Sequence, residues 1–310
     1  MGIGLLFPGQ ASQFPGMGKE LHEAYPVARE VFDEASDALG FSLADLCFRG
    51  SAEDLRMTEN TQPSIFAVSV AAYRVLAKET GIRPLCAAGH SLGEYSALVA
   101  SGALSLSDAV RLLRSRGRFM QEAVPSGEGA MAAVIGLSPE AVGNICRDAR
   151  REGVVEPANF NGGDQIVISG SARAVAAACV AAKSAGAKKV MPLPVSAPFH
   201  CALMEPAAER LAPALRAAIP GRFSFPVVAN VTADTYPHGD GVAEILIRQI
   251  VSPVRWEECV RRMRAMGVTS YLEVGPGKVL TGLLRRIERD VPATAFCSPA
   301  DLPSVRGLAG

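Results

Sequence analysis

A serine at a strand-to-helix turn constrains this chain more than any other feature. The pentapeptide Gly89-His90-Ser91-Leu92-Gly93 has the pattern G-x-S-x-G. It follows the short apolar run Leu85–Ala88, which predicts a strand, and a helix is predicted to begin at Glu94. This context is the one a nucleophile elbow requires, because small flanking residues allow the strained turn that lifts the serine clear of the backbone. The pattern predicts Ser91 as a nucleophile.

The rest of the chain alternates strands and helices. The apolar run Ile3–Phe7 is stopped by proline and glycine and predicts a buried strand. Apolar residues at helical spacing predict helices over about 64–79, with a cap at Asn60-Thr61, and over about 106–123. Because strand and helix alternate, we expect an α/β fold with a parallel sheet covered by helices.

Residues 126–196 have a different order and predict a second domain. The segment 161–163 (Asn-Gly-Gly) joins two strand-like runs and is typical of a hairpin. The order β-α-β-β-α-β is the ferredoxin-like pattern. We therefore predict a catalytic domain of residues 1–125 and 197–310 with a small ferredoxin-like domain inserted at 126–196; the chain from Ser298 onward is expected to fray.

Composition excludes several classes of protein. The 310 residues suit about two domains, and 31 basic residues balance 31 acidic ones, which disfavours a nucleic-acid binder. Seven cysteines at wide spacings without a CxxC motif predict neither a disulfide framework nor a metal site, and favour a reducing, cytoplasmic location. Neither a signal peptide nor a membrane-spanning segment is predicted. We expect a monomer.

A serine nucleophile needs a base, and the chain has only four histidines. His200 follows the predicted inserted domain, where a return to the site is plausible, so it is the preferred base. His238 lies in a turn-like Pro-His-Gly-Asp segment and is expected to be solvated. His90 abuts Ser91 on a sharp turn and is expected to shape the pocket. No carboxylate that would orient the base can be identified; a backbone carbonyl is the alternative.

Further residues are candidates for stabilising charge. The amide of Leu92 follows the nucleophile and is placed to bind an oxyanion. Gln10 lies in a glycine-containing loop after the first strand, where its amide can reach the same site. An arginine turned into the pocket would clamp a carboxylate. Four arginines on one predicted helix are candidates: Arg111, Arg114, Arg116 and Arg118.

Eight segments together resemble the malonyl-CoA:acyl carrier protein transacylases and the acyltransferase domains of fatty acid and polyketide synthases. They run in order along nearly the whole chain. The segments are FPGQASQFPGMG (7–18), TENTQPSIFA (58–67), GHSLGEYSAL (89–98), RSRGRFMQEAV (114–124), PANFNGGDQIVISG (157–170), PVSAPFHCALM (194–204), QIVSPVRW (249–256) and LEVGPGKVLTGL (272–283).

The resemblance implies an α/β-hydrolase-like domain with a ferredoxin-like insertion, and it implies roles for single residues. Ser91 matches the acyl-carrying nucleophile, His200 the base, and Arg116 the arginine that pairs with the malonyl carboxylate. Gln249 matches the residue whose main-chain carbonyl orients the histidine. The oxyanion hole matches the amides of Gln10 and Leu92, and the acyl pocket matches Gln62, His90 and Asn161.

Two positions near these motifs bear on specificity. Ala11 stands where the family usually has a glycine-like small residue. Phe199 precedes the base; in the polyketide acyltransferases a phenylalanine there accompanies a preference for malonyl over methylmalonyl groups. The resemblance thus implies malonyl transfer from coenzyme A, as a substrate rather than a cofactor, to an acyl carrier protein.

Two other functions remain open from the sequence. An acyl-carrier-protein acyl hydrolase would use the same serine and histidine, but would have no use for a buried arginine. A docking module without activity is the other alternative. Two arginine sets are candidates for receiving an acidic carrier protein, without a preference between them: Arg261, Arg262 and Arg264, and Arg285, Arg286 and Arg289.

Overall fold

A computed structural model describes residues 2–195, 197–218, 221–237 and 241–307. Within these ranges the chain forms nine strands and thirteen α-helices. The strands are β1 (Ile3–Phe7), β2 (Cys86–Gly89), β3 (Gly129–Ile135), β4 (Val155–Phe160), β5 (Gln165–Ser171), β6 (Lys189–Pro192), β7 (Val227–Val228), β8 (Ser270–Val274) and β9 (Ala293–Phe296). The helices are α1 (Lys19–Ala24), α2 (Pro26–Leu39), α3 (Leu43–Arg49), α4 (Thr58–Thr80), α5 (Gly93–Ser101), α6 (Leu106–Glu122), α7 (Pro139–Ala149), α8 (Ala172–Ser184), α9 (Glu205–Ala217), α10 (Gly241–Val251), α11 (Trp256–Ala265), α12 (Val279–Ile287) and α13 (Leu302–Arg306).

The larger sheet carries the nucleophile. Its five strands lie in the order β7-β2-β1-β8-β9, and all neighbours are parallel. Every residue of β1 and β2 is buried, as expected for a parallel sheet with helices on both faces. Phe7 pairs with Gly89 where both strands end, so the loops after β1 and β2 leave the same edge of the sheet. This confirms the predicted α/β class.

The smaller sheet has four antiparallel strands in the order β4-β5-β3-β6. With α7 and α8 it has the ferredoxin-like order predicted from the sequence, and it has its own apolar core, which includes Val134, Ile168 and Val142. The Asn-Gly-Gly segment at 161–163 leads from β4 into the turn before β5, as predicted. The boundaries proposed at 126 and 196 stay a prediction.

Helix α4 begins earlier than the sequence predicts. Its N-cap is Met57, so the expected cap at Asn60-Thr61 is wrong. Pro63 lies inside the helix and has no N–H to donate to the carbonyl of Glu59. Arg114 on α6 donates to that carbonyl instead, at 3.0 Å. The extended α4 thereby packs against α6 close to the arginines that the sequence marks as candidates.

The carboxyl end is ordered as far as the structure describes it. Ser298 and Asp301 form a capping box at a short 3-10 helix, and Leu302 and Val305 of α13 are buried. The expectation that the chain frays from Ser298 is therefore wrong up to residue 307. Among the described residues, none of the helices is both long and apolar enough to cross a bilayer.

Candidate active site

Ser91 lies at the tip of the turn between β2 and α5, which confirms the predicted strand–turn–helix context. Its φ is 53°, in the left-handed region that L-residues rarely occupy. Gly93 allows the turn, since a Cβ there would lie 2.2 Å from the carbonyl oxygen of Phe7. The strained backbone aims the side chain away from the sheet, as a nucleophile elbow does.

His200 is the histidine that reaches this serine. Its Nε2 lies 2.7 Å from Ser91 Oγ, and its Nδ1 lies 2.9 Å from the main-chain oxygen of Gln249. A carbonyl only accepts, so Nδ1 carries the proton and the lone pair of Nε2 faces the hydroxyl. Burial, followed by the charge of Arg116, lowers the pKa of His200 to about 3. The imidazole is therefore neutral and able to act as a base; His238 lies outside the described residues.

Arg116 is a buried cation beside the nucleophile. Its side chain is 1% exposed, and its Nη2 lies 3.2 Å from Ser91 Oγ. Nη1 donates to Gln62 Oε1 at 2.7 Å, and Nη2 donates to Gln249 Oε1 at 2.9 Å. Nε has no partner among the described residues although it is buried. A buried, incompletely satisfied guanidinium is suited to bind a carboxylate.

The other three arginines of α6 point elsewhere. Arg111 donates to the main chain of Ala38 and is exposed. Arg114 binds the start of α4, as described above. Arg118 is exposed and lies over the ring of Phe119. Only one of the four candidates predicted from the sequence therefore reaches the site.

The amides of Leu92 and Gln10 lie at the same edge of the sheet, after β2 and β1. Within the described ranges neither amide donates to a protein acceptor. The amide of Ser91 itself is occupied, because it donates to Asn230 Oδ1 at 2.8 Å. Leu92 precedes the first turn of α5, so the positive end of the helix dipole adds to its amide. Both amides are available to an oxyanion.

These groups open onto one pocket of about 290 Å³. Its lining combines the reactive groups with an apolar wall. The lining residues are Gln10, Ala11, Gln13, Arg56, Thr58, His90, Ser91, Arg116, Met120, Met131, Asn159, Leu193, Pro194, Val195, Phe199 and His200. No cluster of three or more His, Cys, Asp or Glu side chains in the described part of the chain is arranged to hold a metal ion.

Two residues predicted to line this pocket lie behind its wall instead. Gln62 is buried and lies behind two lining residues, Arg116 and Met120, with both of which it is hydrogen bonded. Asn161 is buried and accepts from His90 Nε2 at 3.0 Å. Burial lowers the pKa of His90, which leaves a neutral ring in the wall. Phe199 lines the pocket as expected.

Sequence reasoning missed three polar residues beneath the elbow. Glu94 on α5 is completely buried, and its carboxylate accepts from the main chain of Asn230 at 3.1 Å and from the hydroxyl of Tyr236. Burial raises the pKa of Glu94 to about 7, against the effect of these hydrogen bonds. Asn230 also holds the turn just before the nucleophile: its side-chain amide donates to the carbonyl of Gly89 and accepts from the amide of Ser91.

Comparison with known proteins identifies relatives along nearly the whole chain. The family model described as the acyl transferase domain matches residues 5–297. The malonyl CoA-acyl carrier protein transacylase of Bacillus subtilis strain 168 is 50% identical over 298 residues, covering 96% of this chain and 94% of the relative. That of Escherichia coli K12 is 49% identical over 303 residues, covering 98% of each.

Solved structures extend the likeness to the fold. A malonyl-transacylase in complex with its type II polyketide synthase acyl-carrier protein matches with a TM-score of 0.96 and 44% identity, covering 99% of this chain and 100% of the other. An acyl carrier protein S-malonyltransferase from Vibrio cholerae matches with a TM-score of 0.94 and 47% identity, covering 98% and 100%. The chain therefore belongs to the acyl transferase family and, within it, to the malonyl-CoA:acyl carrier protein transacylases.

Proposed function

We propose that this enzyme moves a malonyl group from coenzyme A to the phosphopantetheine thiol of an acyl carrier protein, through a malonyl ester on Ser91. The observation that carries the proposal is the buried guanidinium of Arg116, whose Nη2 lies 3.2 Å from the nucleophilic oxygen. A cation there recognises an acyl group that carries its own negative charge. The relatives named above act in the same transfer, which serves fatty acid or polyketide synthesis.

The first half of the reaction loads the enzyme. His200 Nε2 takes the proton of Ser91 Oγ as the oxygen attacks the thioester carbonyl. The amides of Gln10 and Leu92 bind the oxyanion, and each such donor is typically worth about 3–4 kcal/mol of barrier. The carbon–sulfur bond then breaks, and the proton passes from His200 to the sulfur of coenzyme A, which leaves as the thiol.

The second half reverses these steps with a different thiol. His200 removes the proton of the carrier protein's phosphopantetheine thiol, and the sulfur attacks the malonyl ester. The bond to Ser91 Oγ breaks, and the proton returns to that oxygen from His200 Nε2. The same groups serve both halves: Ser91 Oγ, His200 Nε2 and the amides of Gln10 and Leu92. The chemistry needs no resident metal or cofactor.

The substrate's free carboxylate is held by Arg116 during both halves. The Nη2–H that faces Ser91 is a donor at the pocket, and the buried Nε–H has no partner among the described residues. A bidentate pair with the carboxylate would satisfy the buried guanidinium and fix the thioester carbonyl above Ser91. A ring at Phe199 limits the space beside the α-carbon, which favours malonyl over methylmalonyl groups.

The hydrolase alternative uses the same serine and histidine but passes the acyl group to water. Incubation of the enzyme with malonyl-CoA alone, followed by intact mass spectrometry, separates the two. We expect a malonyl adduct that maps to Ser91, persists, and is discharged by added holo-carrier protein with formation of malonyl-carrier protein. Ser91→Ala is the control and should show no adduct. Rapid release of malonate without an acceptor would favour the hydrolase.

The setting of the enzyme is also proposed. All seven cysteines are free thiols, and five of them are buried, which suits a reducing compartment such as the cytoplasm. The proposed donor and acceptor thiols belong to the same compartment. A monomer is sufficient for the chemistry, because every group used above belongs to one chain.

A further inference from the structure

Glu94 is a buried carboxyl group that the reaction does not use directly. It lies in the first turn of α5, three residues after the nucleophile, with no exposed surface. One carboxylate oxygen accepts from the hydroxyl of Tyr236. The other accepts from the main chain of Asn230 at 3.1 Å and from Gln249 Nε2 at 2.7 Å. Burying a carboxylate at this depth is costly unless hydrogen bonds satisfy it, as these do.

Gln249 connects Glu94 to Ser91, Arg116 and His200. Its Nε2 donates to Glu94 and, at 3.0 Å, to the main-chain oxygen of Ser91. Its Oε1 accepts from Arg116 at 2.9 Å, and its main-chain oxygen accepts from His200 Nδ1 at 2.9 Å. Both hydrogens of the side-chain amide are thus donated, one to a carboxyl oxygen and one to a main-chain carbonyl oxygen.

Glu94 fixes the direction of that amide. If the Gln249 amide were rotated by half a turn, Oε1 would face the oxygens of Glu94 and Ser91, and the NH2 group would face the guanidinium. Every contact would then pair two acceptors or two donors. The oxygens of Glu94 face only donors, so together with the main-chain oxygen of Ser91 they ensure that Gln249 presents an acceptor to Arg116.

The side-chain amide of Gln249 separates the carboxyl group of Glu94 from the guanidinium of Arg116. Glu94 favours the protonated form of Arg116, against the burial that lowers the pKa of the arginine. Because Gln249 lies between them, the carboxylate of Glu94 does not occupy the donors that face the pocket. Arg116 Nε stays without a partner among the described side chains. The arrangement keeps the guanidinium charged, oriented and open to an incoming carboxylate.

We propose that Glu94 is a positioning residue that acts through Gln249 to hold Arg116 in the orientation that selects diacid acyl groups. This inference rests on the proposed function, since it concerns the selectivity of that same site. It assigns to Glu94 a part in the choice between malonyl and uncharged acyl groups, and not in the attack of Ser91 on the thioester.

The test compares malonyl-CoA with acetyl-CoA as donors to one holo-carrier protein. Glu94→Gln keeps the shape of the side chain, but it removes the ionisable carboxyl group and replaces one of its two acceptor oxygens by an NH2 group. We expect the ratio of kcat/KM for malonyl over acetyl to fall about tenfold or more, mainly through a higher KM for malonyl-CoA. Acetyl transfer, which does not use the guanidinium, should change far less. A merely structural role would lower both activities by the same factor.

A matched control is available in Glu273, which is 1% exposed and lies on β8 of the same sheet. It accepts from the amides of Leu280 and Thr281 at the start of α12 and makes no contact with the pocket. Glu273→Gln should lower the melting temperature and leave the malonyl-to-acetyl ratio unchanged. If Glu94→Gln does not fold, Tyr236→Phe removes one donor to Glu94 and should lower the same ratio by a smaller factor.

The outcomes separate this inference from the proposed function. A wild-type enzyme without a malonyl preference, or one whose preference survives Arg116→Ala, would refute the proposed function itself. If Arg116→Ala abolishes the preference but Glu94→Gln and Tyr236→Phe leave it intact, or reduce both substrates equally, the role of Glu94 is wrong. A selective loss of malonyl transfer in the Glu94 variant, absent in the Glu273 variant, supports it.

Discussion

Replacing Arg116 by alanine tests the acyl specificity of the enzyme most directly. The guanidinium is 1% exposed, so the malonyl carboxylate that it binds must give up its water on entering the pocket. Without the cation, that carboxylate would be buried and unpaired. Removing one partner of a buried ion pair costs about 3–5 kcal/mol. At about 1.4 kcal/mol for each factor of ten, we expect malonyl transfer to fall by about two to three orders of magnitude.

Acetyl transfer should respond in the opposite way. An acetyl group brings no charge, and Ser91, His200 and the two oxyanion amides are unchanged in Arg116→Ala. We therefore expect acetyl transfer to survive or improve. The assay is radiolabelled transfer from malonyl-CoA and acetyl-CoA to one holo-carrier protein, with kcat/KM determined for each donor. Arg116→Lys keeps the charge without the planar fork and should give an intermediate loss.

The control is Arg111→Ala, which removes an exposed arginine of the same helix that does not line the pocket. It should leave both activities near the wild-type values. The alanine at 116 also leaves two acceptor oxygens, on Gln62 and Gln249, without their donor, so the melting temperature must be measured alongside. Malonyl transfer near the wild-type rate in a folded Arg116→Ala enzyme would refute the carboxylate clamp.

Three further predictions concern other parts of the molecule. Phe199→Ala should raise kcat/KM for methylmalonyl-CoA relative to malonyl-CoA by about tenfold, because the ring no longer fills the space beside the α-carbon. The pKa of His200 is lowered to about 3 in the folded protein, whereas an imidazole in the unfolded chain has a pKa of about 6.5. Between these two pH values the unfolded chain binds one more proton than the folded protein, so the stability of the fold decreases as the pH falls. The free energy of unfolding of the wild type, measured with urea, should therefore fall from pH 7 to pH 5 by about 2 kcal/mol more than that of His200→Gln. Arg285→Glu should raise the KM for the carrier protein more than Arg262→Glu does. Arg262 is already paired with Asp234 at 2.9 Å, whereas Arg285 is exposed and has no ion-pair partner within the described ranges.

The nucleophile, its base and the sheet beneath them were predictable because their signals are local. The G-x-S-x-G turn after an apolar strand indicates the nucleophile, and the small number of histidines limits the candidates for its base. Neither inference requires knowledge of a long-range contact. The order of elements also predicted the small ferredoxin-like sheet. The helices α1 to α3 were not predicted, although Pro26 in the first turn of α2 and Gly40 at its end are recognised helix boundaries.

Choosing Arg116 among four arginines required the family resemblance, although periodicity carried a signal. Along α6 the buried positions include Ala109, Leu112, Leu113 and Met120, and Arg116 lies on this same stripe while Arg111 and Arg118 lie outside it. A charged residue within an apolar helical face is either satisfied in the core or functional. The helix pattern therefore indicates that Arg116 is buried, but it does not indicate what the guanidinium meets.

Glu94 could not be identified from the sequence for a different reason. A glutamate in the first turn of a helix is ordinarily exposed and favoured by the helix dipole. Its actual partners, Asn230, Tyr236 and Gln249, lie between 136 and 155 residues further along the chain. Only the folded chain brings Gln249 of α10 and the loop after β7 to the start of α5. Burial of this kind is a property of tertiary structure.

Among the described residues the partners of His200 are Ser91 and the main chain of Gln249, and a neutral orienting group is compatible with the nearby cation of Arg116. In many serine enzymes an acid orients the histidine and stabilises its protonated form. Here Gln249 places its carbonyl on His200 Nδ1 and its side-chain oxygen on Arg116, at 2.9 Å each, so any acid at the same position would lie within reach of the guanidinium. It would pair with that cation and compete with the substrate's carboxylate. A neutral carbonyl fixes the tautomer without this competition, and the nearest buried carboxyl group that the site does use, Glu94, lies one amide further away.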